Sequence, residues 1–333
     1  DNKTLTWESK DLSVAKVSEN GLVTAVGEGK AYVIATSPDG PEGYCVVTVR
    51  KRVVPTGIKL DKTSETIAVG GNGAMLTATV IPDDAEDKSV TWSSSNPNVV
   101  TVENANMNNL GFLTAVSPGE ADITVTTNVG GFVAVCTVTV TQPVTGIKLN
   151  KNQTSLMATA TEQLTATVTP SDATEKEVSW VSSNVSVAKV DQTGLITAVA
   201  PGEASITATT KDGGFSSMCL VTVGINVPDD NFRASLLDKT TRCDVNSDGV
   251  ISISEAAALK TLAVPQLSIS SLKGLEYFVG LDTLTCFNNS LTDIDVSKNT
   301  ALTYFDCSNC NLSKLDISKN VKLVNFRCNN NHL

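Results

Sequence analysis

The sequence predicts a multidomain chain: tandem all-β two-sheet sandwiches, followed by an α/β solenoid that opens on a short helical cap. Three observations predict it. One block, with a Trp-bearing strand in its middle and a single Cys near its end, occurs three times at roughly 85-residue spacing. A shorter unit recurs every 21 residues up to the C-terminus. Aromatics make up 5% of the 333 residues, while Thr, Val, Ser and Ala dominate. That composition suits several small β-rich modules better than one large enzyme core.

The long block is read first. "LTWESKDLSVAKV" from Leu5 returns as "VTWSSSNPNVVTV" from Val90 and "VSWVSSNVSVAKV" from Val178. "GLVTAVGEGKAYVIATS" returns as "GFLTAVSPGEADITVTT" and "GLITAVAPGEASITATT", and "GYCVVTV" as "VAVCTVTV" and "SSMCLVTV". In the third copy Leu164, Ala166 and Val168 alternate with Thr, and Ala204, Ile206 and Ala208 alternate with small polar residues. Period two in β-branched sequence means half-buried strands, and Gly and Pro-Gly punctuation separates them. Six or seven short strands per copy are expected, stacked as a two-sheet sandwich. Trp7, Trp92 and Trp180 start comparable strands and are the expected large fillers of their cores. The first copy lacks the opening strands that the others carry after "TGIKL", so Asp1 is expected to fall inside a domain, either because upstream residues are missing or because the domain was cut.

These motifs resemble the group 2 bacterial immunoglobulin-like family. "TGIKL", the Trp strand, "G-L/F-x-T-A-V" and "PGEA-x-I" carry the resemblance over about residues 1–223. It implies immunoglobulin-like sandwiches, bounded at 1–51 (incomplete at its N-terminus), 52–141 and 142–224. It also implies a bacterial cell-surface location, where such domains serve as stalks or adhesive modules. The linkers "RKRVVP", "TQP" and "GINVP" are short and contain Pro55, Pro143 and Pro228. A semi-rigid extended chain of modules is expected, against the alternative of independently tumbling ones.

Residues 225–333 read differently. "LDTLTCFNNSLTDIDVSKNTA" from Leu281 returns as "LTYFDCSNCNLSKLDISKNVK" from Leu302 and "LVNFRCNNNHL" from Leu323, with a looser copy before them from Leu259. The apolar positions match the pattern L-x-x-L-x-L-x-x-N/C-x-L. This resembles leucine-rich repeats, over about 259–333, in a variant with Cys in the strand found in bacterial surface proteins. The resemblance implies one short strand per repeat and a continuous stacked core. Asn289 and Asn331 are expected to bond the turn backbone, with Cys310 in the same role. The chain stops part-way through a repeat, so an ended chain or an absent cap is expected.

Between the two regions lies "DVNSDGVISISE", residues 244–255. Counted from Asp244, hard-oxygen donors fall at the spacing calcium requires. Asp244, Asn246 and Asp248 offer side-chain oxygens, Val250 its carbonyl, Ser252 a position that often works through water, and Glu255 both carboxylate oxygens. Gly249 permits the turn and Ile251 anchors the loop. The loop resembles that of an EF-hand and one calcium half of a dockerin, and this implies Ca2+ as a bound cofactor. Helical spacing of Phe232, Leu236 and Leu237 before it and "SISEAAALKTL" after it make a cap of about 229–258. Ser252-x-x-Glu255 also reads as a plain helix capping box with no metal. A single loop, with no second to pair with, suggests a structural role rather than a calcium sensor.

The remaining chemistry is sparse. The only histidine is His332, which limits acid–base schemes, and no catalytic residue is identified. No phosphate loop, paired carboxylates or Ser/His/Asp set is visible, so an enzyme is not expected. A net charge of −10 argues against nucleic acid and anionic membrane as partners. No apolar run approaches the ~18 residues a membrane span needs, and Asp1 opens no signal peptide. The acids of "PDDAED" and "PSDATEKE" read as solvated loops. The cysteines lack partners within their repeats, and Cys286, Cys307 and Cys328 form a buried ladder, so mostly free thiols are expected. "CSNC" at 307–310 lacks a second CxxC and is not read as a zinc or redox site.

The strand face of the repeats offers Thr285 and Phe287, then Tyr304, Asp306 and Ser308, then Asn325, Arg327 and Asn329. Phe287, Tyr304, Asp306 and Arg327 are the candidate partner-binding set, against an ordinary solvated face. The expected function is a non-enzymatic adhesion protein, a monomer whose sandwich stalk presents the repeats to a protein or glycan ligand. A passive stalk, or an accessory region of a surface glycan-degrading enzyme, is the alternative.

Overall fold

The computed structural model describes residues 4–40, 42–104 and 109–333. Asp1, where the first copy opens, lies outside them. The chain divides into two compact units, residues 1–141 and 142–333, and strand is the dominant structure in both sandwich regions.

In the first unit, the first sandwich has β1 (Thr6–Ser9), β2 (Ala15–Val17), β3 (Val23–Ala25), β4 (Gly29–Thr36) and β5 (Gly43–Val49). β1, β4 and β5 form one antiparallel sheet, and β2 and β3 a hairpin opposite it. Val14, Ala15, Ala31 and Val33 are its buried core.

The second sandwich has β6 (Gly57–Leu60), β7 (Ser64–Ala68), β8 (Ala74–Ile81), β9 (Val90–Ser94), β10 (Val100–Asn104), β11 (Leu110–Ala115), β12 (Gly119–Thr127) and β13 (Val133–Thr141). Two four-stranded sheets, ordered β10-β11-β8-β6 and β7-β13-β12-β9, face each other. The period-two pattern lands as expected: Ala121, Ile123 and Val125 of β12 are buried and the residues between them are not.

Among the described residues the copy holds eight strands rather than six or seven. The reason is a change of sheet inside "TGIKLDKTSETIAV". β6 pairs antiparallel with β8, whereas β7 crosses over and pairs parallel with β13. Asp61 sits at the crossing, where its carboxylate accepts the Thr77 amide at 2.9 Å. A polar side chain there takes over a ladder bond that the departing strand would otherwise leave unmade.

The second unit begins with the third sandwich: β14 (Gly146–Leu149), β15 (Gln153–Leu156), β16 (Thr161–Gln163), β17 (Ala166–Thr169), β18 (Val178–Ser182), β19 (Ala188–Val190), β20 (Leu195–Ala198), β21 (Gly202–Thr210) and β22 (Ser216–Val223). The crossing recurs. β14 pairs with β17, β15 runs parallel beside β22, and Asn150 accepts the Thr165 amide at 2.9 Å. The first sandwich has no counterpart of these parallel strands among the described residues. Cys45 on β5 is therefore exposed, while its equivalents Cys136 and Cys219 are fully buried.

The Trp and Gly of the repeated motifs pack together. Trp180 is buried at 6% exposure, and Trp7 and Trp92 are half-buried. A Cβ added at Gly194 would lie 2.8 Å from the Trp180 ring and 2.7 Å from the Leu164 carbonyl, and Gly194 has φ +84°. Gly21 stands 2.7 Å from Trp7 and Gly111 2.9 Å from Trp92 by the same measure. Glycine in "G-L/F-x-T-A-V" lets each indole lie against the backbone.

After β22 come α1 (Asp230–Leu237), α2 (Ile253–Ala258), and four three-residue strands, β23 (Thr261–Ala263), β24 (Thr283–Thr285), β25 (Tyr304–Asp306) and β26 (Asn325–Arg327). The four strands form one parallel sheet in unbroken register, Leu262 beside Leu284, Phe305 and Phe326. One core joins Phe232 and Leu236 of α1 to Leu262, Leu284, Phe305 and the thiols of Cys286 and Cys307.

Candidate functional site

Two features of the second unit could carry function, the 244–255 loop and the open face of the parallel strands. The loop is built by its own side chains. Ser247 and Gly249 take left-handed backbone, φ 57° and 83°, and curl the chain back on itself. Asp244 accepts the Asp248 amide on one oxygen and the Gly249 amide on the other, both at 3.2 Å. Asn246 Oδ1 also accepts the Asp248 amide, at 3.1 Å, and its Nδ2 donates to Asp248 Oδ2 at 2.8 Å. Asp248 Oδ1 accepts the Val250 amide at 3.0 Å. Glu255 reaches back across the loop, accepting the Val245 amide at 2.9 Å and the Ser252 amide at 2.9 Å.

Ser252 and Glu255 form the full capping box of α2. The metal-free role read from the sequence is thus present, with Glu255 serving cap and loop together. Val250, Ile251 and Ser252 are buried, while Asn246 and Asp248 are exposed and Asp244 and Glu255 half-buried. Among the described residues, no group of three or more His, Cys, Asp or Glu side chains stands gathered as a metal cluster. The residues that the calcium spacing picks out offer three carboxylates, not gathered as such a cluster, with an amide oxygen, a hydroxyl and a backbone carbonyl beside them. These donors are of the chemical type Ca2+ takes, and among the described residues no Lys or Arg pairs with the three carboxylates, Asp244, Asp248 and Glu255. Beside them, burial pushes the Cys243 thiol up to about 12, with Glu255 and Asp244 adding to the effect.

The strand face comes next. In the first three of these strands the middle side chain, Leu262, Leu284 or Phe305, is buried in the core and the outer two lie on the other face, whereas Phe326 in the middle of β26 is exposed. Tyr304 is half-buried and Arg327 exposed on this face, and Phe287 follows β24 at half burial. Asp306 departs from expectation. It lies on the same face, yet it is 5% exposed. Its Oδ1 accepts the Ser308 hydroxyl at 2.6 Å and amide at 3.0 Å, and Arg327 Nη1 stands 3.9 Å from Oδ2. Asp306 is closed in by its neighbours and offers little to a partner.

Behind the face, Asn289 donates to the Val264 and Cys286 carbonyls at 2.7 and 2.8 Å, and Asn331 to those of Cys307 and Cys328. Cys310 takes the same place, its Sγ 3.4 Å from the Cys286 carbonyl. A second Asn column went unread in the sequence. Asn299 donates to the Leu275 and Phe278 carbonyls, and Asn320 to those of Val296 and Asn299. Its signal was the Asn that closes each "D-V/I-S-K-N", 21 residues apart. All eight cysteines are free. Burial holds Cys286 well above the ordinary thiol value and pushes Cys307 to about 12. Cys307 and Cys310 are buried, with Cys307 Sγ toward the Arg327 carbonyl and Cys310 Sγ toward the Cys286 carbonyl.

Comparison with known proteins addresses the sandwiches. The group 2 bacterial Ig-like domain matches residues 1–47, 54–138 and 143–221. The chain belongs to this family. An uncharacterized protein of Clostridium acetobutylicum is 39% identical over 162 residues, which is 48% of this chain and 16% of that protein. An alpha-L-arabinofuranosidase of Bifidobacterium longum is 46% identical over 80 residues, 24% of this chain and 8% of that protein. The chain thus spans less than a quarter of the length of either relative. Among solved structures, the functional domain of InlJ from Listeria monocytogenes, which includes a cysteine ladder, aligns at 30% identity and a TM-score of 0.27. That alignment covers 31% of this chain and 22% of that one. No helix among the described residues is long and apolar enough to cross a membrane.

Proposed function

We propose that this Ig-like family member is a non-enzymatic, extracellular binding segment of a bacterial surface protein. In this reading its sandwiches carry a leucine-rich-repeat module that engages a protein or glycan. The observation that carries the reading is the open face of the four parallel strands, where Tyr304 and Arg327 stand in adjacent strands. Aromatic and guanidinium groups are enriched at binding hot spots. The acidic balance, −10, supports a partner other than nucleic acid. The test is an array of host matrix proteins and glycans probed with the chain and with Tyr304→Ala and Arg327→Ala variants. Specific binding lost in both variants supports the reading. Binding that survives both substitutions, or no binding at all, sinks it and leaves a passive stalk.

The 244–255 loop, in the same reading, holds one structural Ca2+ through Asp244, Asn246, Asp248, the Val250 carbonyl, Ser252 and Glu255. Bound there, the ion would supply positive charge that neutralises three carboxylates and fixes the cap on the first repeat. Calorimetry should count one calcium per chain, and a chelator should lower the melting temperature. A melting curve indifferent to chelator would refute the structural role.

A second reading, an accessory region of a glycan-degrading enzyme, is favoured by the match to the arabinofuranosidase. A hydrolase domain elsewhere in the full-length protein would support it over adhesion.

A further inference from the structure

We infer that Ser155, a residue of the third sandwich, positions Asp248 of the calcium loop, so that calcium binding and the seating of that sandwich on the repeat module are one coupled event. The inference rests on the calcium reading proposed above.

The two residues are 93 positions apart, and the Ser155 hydroxyl donates to Asp248 Oδ2 at 2.5 Å. Ser155 lies in β15, the strand that runs parallel beside β22 at the sheet edge. β22 leads straight into a second contact. The Gly224 amide donates to the Leu156 carbonyl at 2.9 Å, and the next amide, Ile225, donates to the Ile251 carbonyl of the loop at 2.8 Å. Gly224 has no room for a side chain: a Cβ there would stand 2.7 Å from Val250 Cβ, 3.3 Å from the Ile251 carbonyl and 3.4 Å from Met157 Sδ. The sandwich therefore touches the loop at Asp248, Val250 and Ile251. Two of these are calcium donors and the third is their anchor.

The chemistry gives each contact a role. Within the loop Asp248 is held by the Val250 amide on Oδ1 and by Asn246 Nδ2 on Oδ2, and the Ser155 hydroxyl adds a partner from outside the loop on Oδ2. Ser155 is a neutral donor, so it fixes one oxygen without competing with a cation for charge. Outer partners of this kind orient ligands and tune metal affinity. Val250 would offer its backbone carbonyl, and its side chain is wedged against Gly224, so the peptide it shares with the loop cannot swing while the sandwich is seated. Linkage is reciprocal: if the seated sandwich favours calcium, calcium favours the seated sandwich by the same factor. Residues Ile225 and Val227, both buried, continue the contact into the core that α1 and the first repeat share.

The test uses the whole chain, with calcium alone as the probe. Calcium affinity is measured by calorimetry for the wild type, Ser155→Ala and Ser155→Thr, and amide exchange is followed over residues 153–156 and at Ile225, with calcium and with chelator. Calcium should slow exchange at both places in the wild type. Ser155→Ala should weaken calcium binding about tenfold and blunt that slowing. Ser155→Thr, which keeps the hydroxyl, should restore both. Melting in chelator, where the loop is metal-free in every variant, shows whether the sandwich itself is intact. Unchanged affinity in Ser155→Ala, or exchange at these amides indifferent to calcium, overturns the coupling while leaving the calcium reading in place. A wild type that binds no calcium overturns both.

Discussion

Asp229 Oδ2 accepts the Ser270 hydroxyl at 2.7 Å and the Ser270 amide at 2.9 Å, tying the start of α1 to the turn of the first repeat. Its other oxygen accepts the Phe232 amide at 2.9 Å as the helix cap. Burial works against the charge of Asp229, but the bonds from Phe232, Ser270 and Ser271 outweigh it, and the carboxyl sits below its ordinary value of 3.8. A carboxyl lowered on folding adds stability that is complete above its unfolded value and is lost as the pH falls through its folded one. Asp229→Ala should therefore cost about 1–2 kcal/mol at neutral pH. Its cost should shrink as the pH falls below 3.8. Melts of both proteins across that range check this, and a cost that does not change with pH would refute it.

The Asn columns predict opposite outcomes at two similar positions. Asn299 is fully buried and satisfies two carbonyls, so Asn299→Ala leaves both without a donor and should cost about 2 kcal/mol or more. Cys310 occupies the place that Asn289 and Asn331 fill in the neighbouring repeats. Cys310→Asn should stay within about 1 kcal/mol of wild type, since an amide can make the bonds the thiol makes. Denaturant midpoints measure both. A large loss in Cys310→Asn would mean that thiol packing, not the turn bond, selects the residue.

Gly194 stands under the Trp180 ring at φ +84°, where an L side chain is strained and also meets the Leu164 carbonyl. Gly194→Ala should destabilise the third sandwich by about 1–3 kcal/mol. Thermal melting read by Trp fluorescence should show the loss and a changed indole environment. An unshifted melt would mean that the strand can retreat from the ring.

What the sequence shows and what it hides divide along a physical line. The sandwich strands were legible because burial on one face imposes period two, and because Trp, Gly and Cys return at equivalent places in three copies. The parallel ladder was legible for the same reason at a period of 21. The sheet crossing at Asp61 was not, since a strand that changes partners keeps its alternation. Nor were Asp229 with Ser270 or Ser155 with Asp248, which lie 41 and 93 residues apart and follow no period. Asp306 alternates outward as its strand requires, and it is hidden by Ser308 and Arg327, whose reach no alternation rule contains.

The thiols should sort by burial. Cys45 is exposed and Cys328 half-buried, whereas Cys136, Cys219, Cys243, Cys286, Cys307 and Cys310 are buried. Alkylation needs the thiolate, and burial raises all six buried thiols above their ordinary value. In the folded protein at neutral pH an alkylating reagent should modify Cys45 first and Cys328 more slowly, and the others only after unfolding. Mass spectrometry of the peptides reads the order. Rapid labelling of Cys286 or Cys307 would show that the repeat stack opens far more readily than its burial implies.

Arg327 decides whether the strand face can be tested cleanly. Its guanidinium stands 3.9 Å from the buried Asp306 while its own side chain is 65% exposed, so the contact is long and its cationic end lies in solvent. A long contact from a solvated guanidinium contributes about 0–1 kcal/mol. Arg327→Ala should leave the melting temperature nearly unchanged while removing the positive charge from the face. Asp306→Ala differs, because it strips the Ser308 amide and hydroxyl of a buried acceptor and should cost about 1–3 kcal/mol. Side-by-side melts separate them. If Arg327→Ala destabilises as much as Asp306→Ala, the guanidinium is structural, and a loss of ligand binding in that variant would no longer implicate the face.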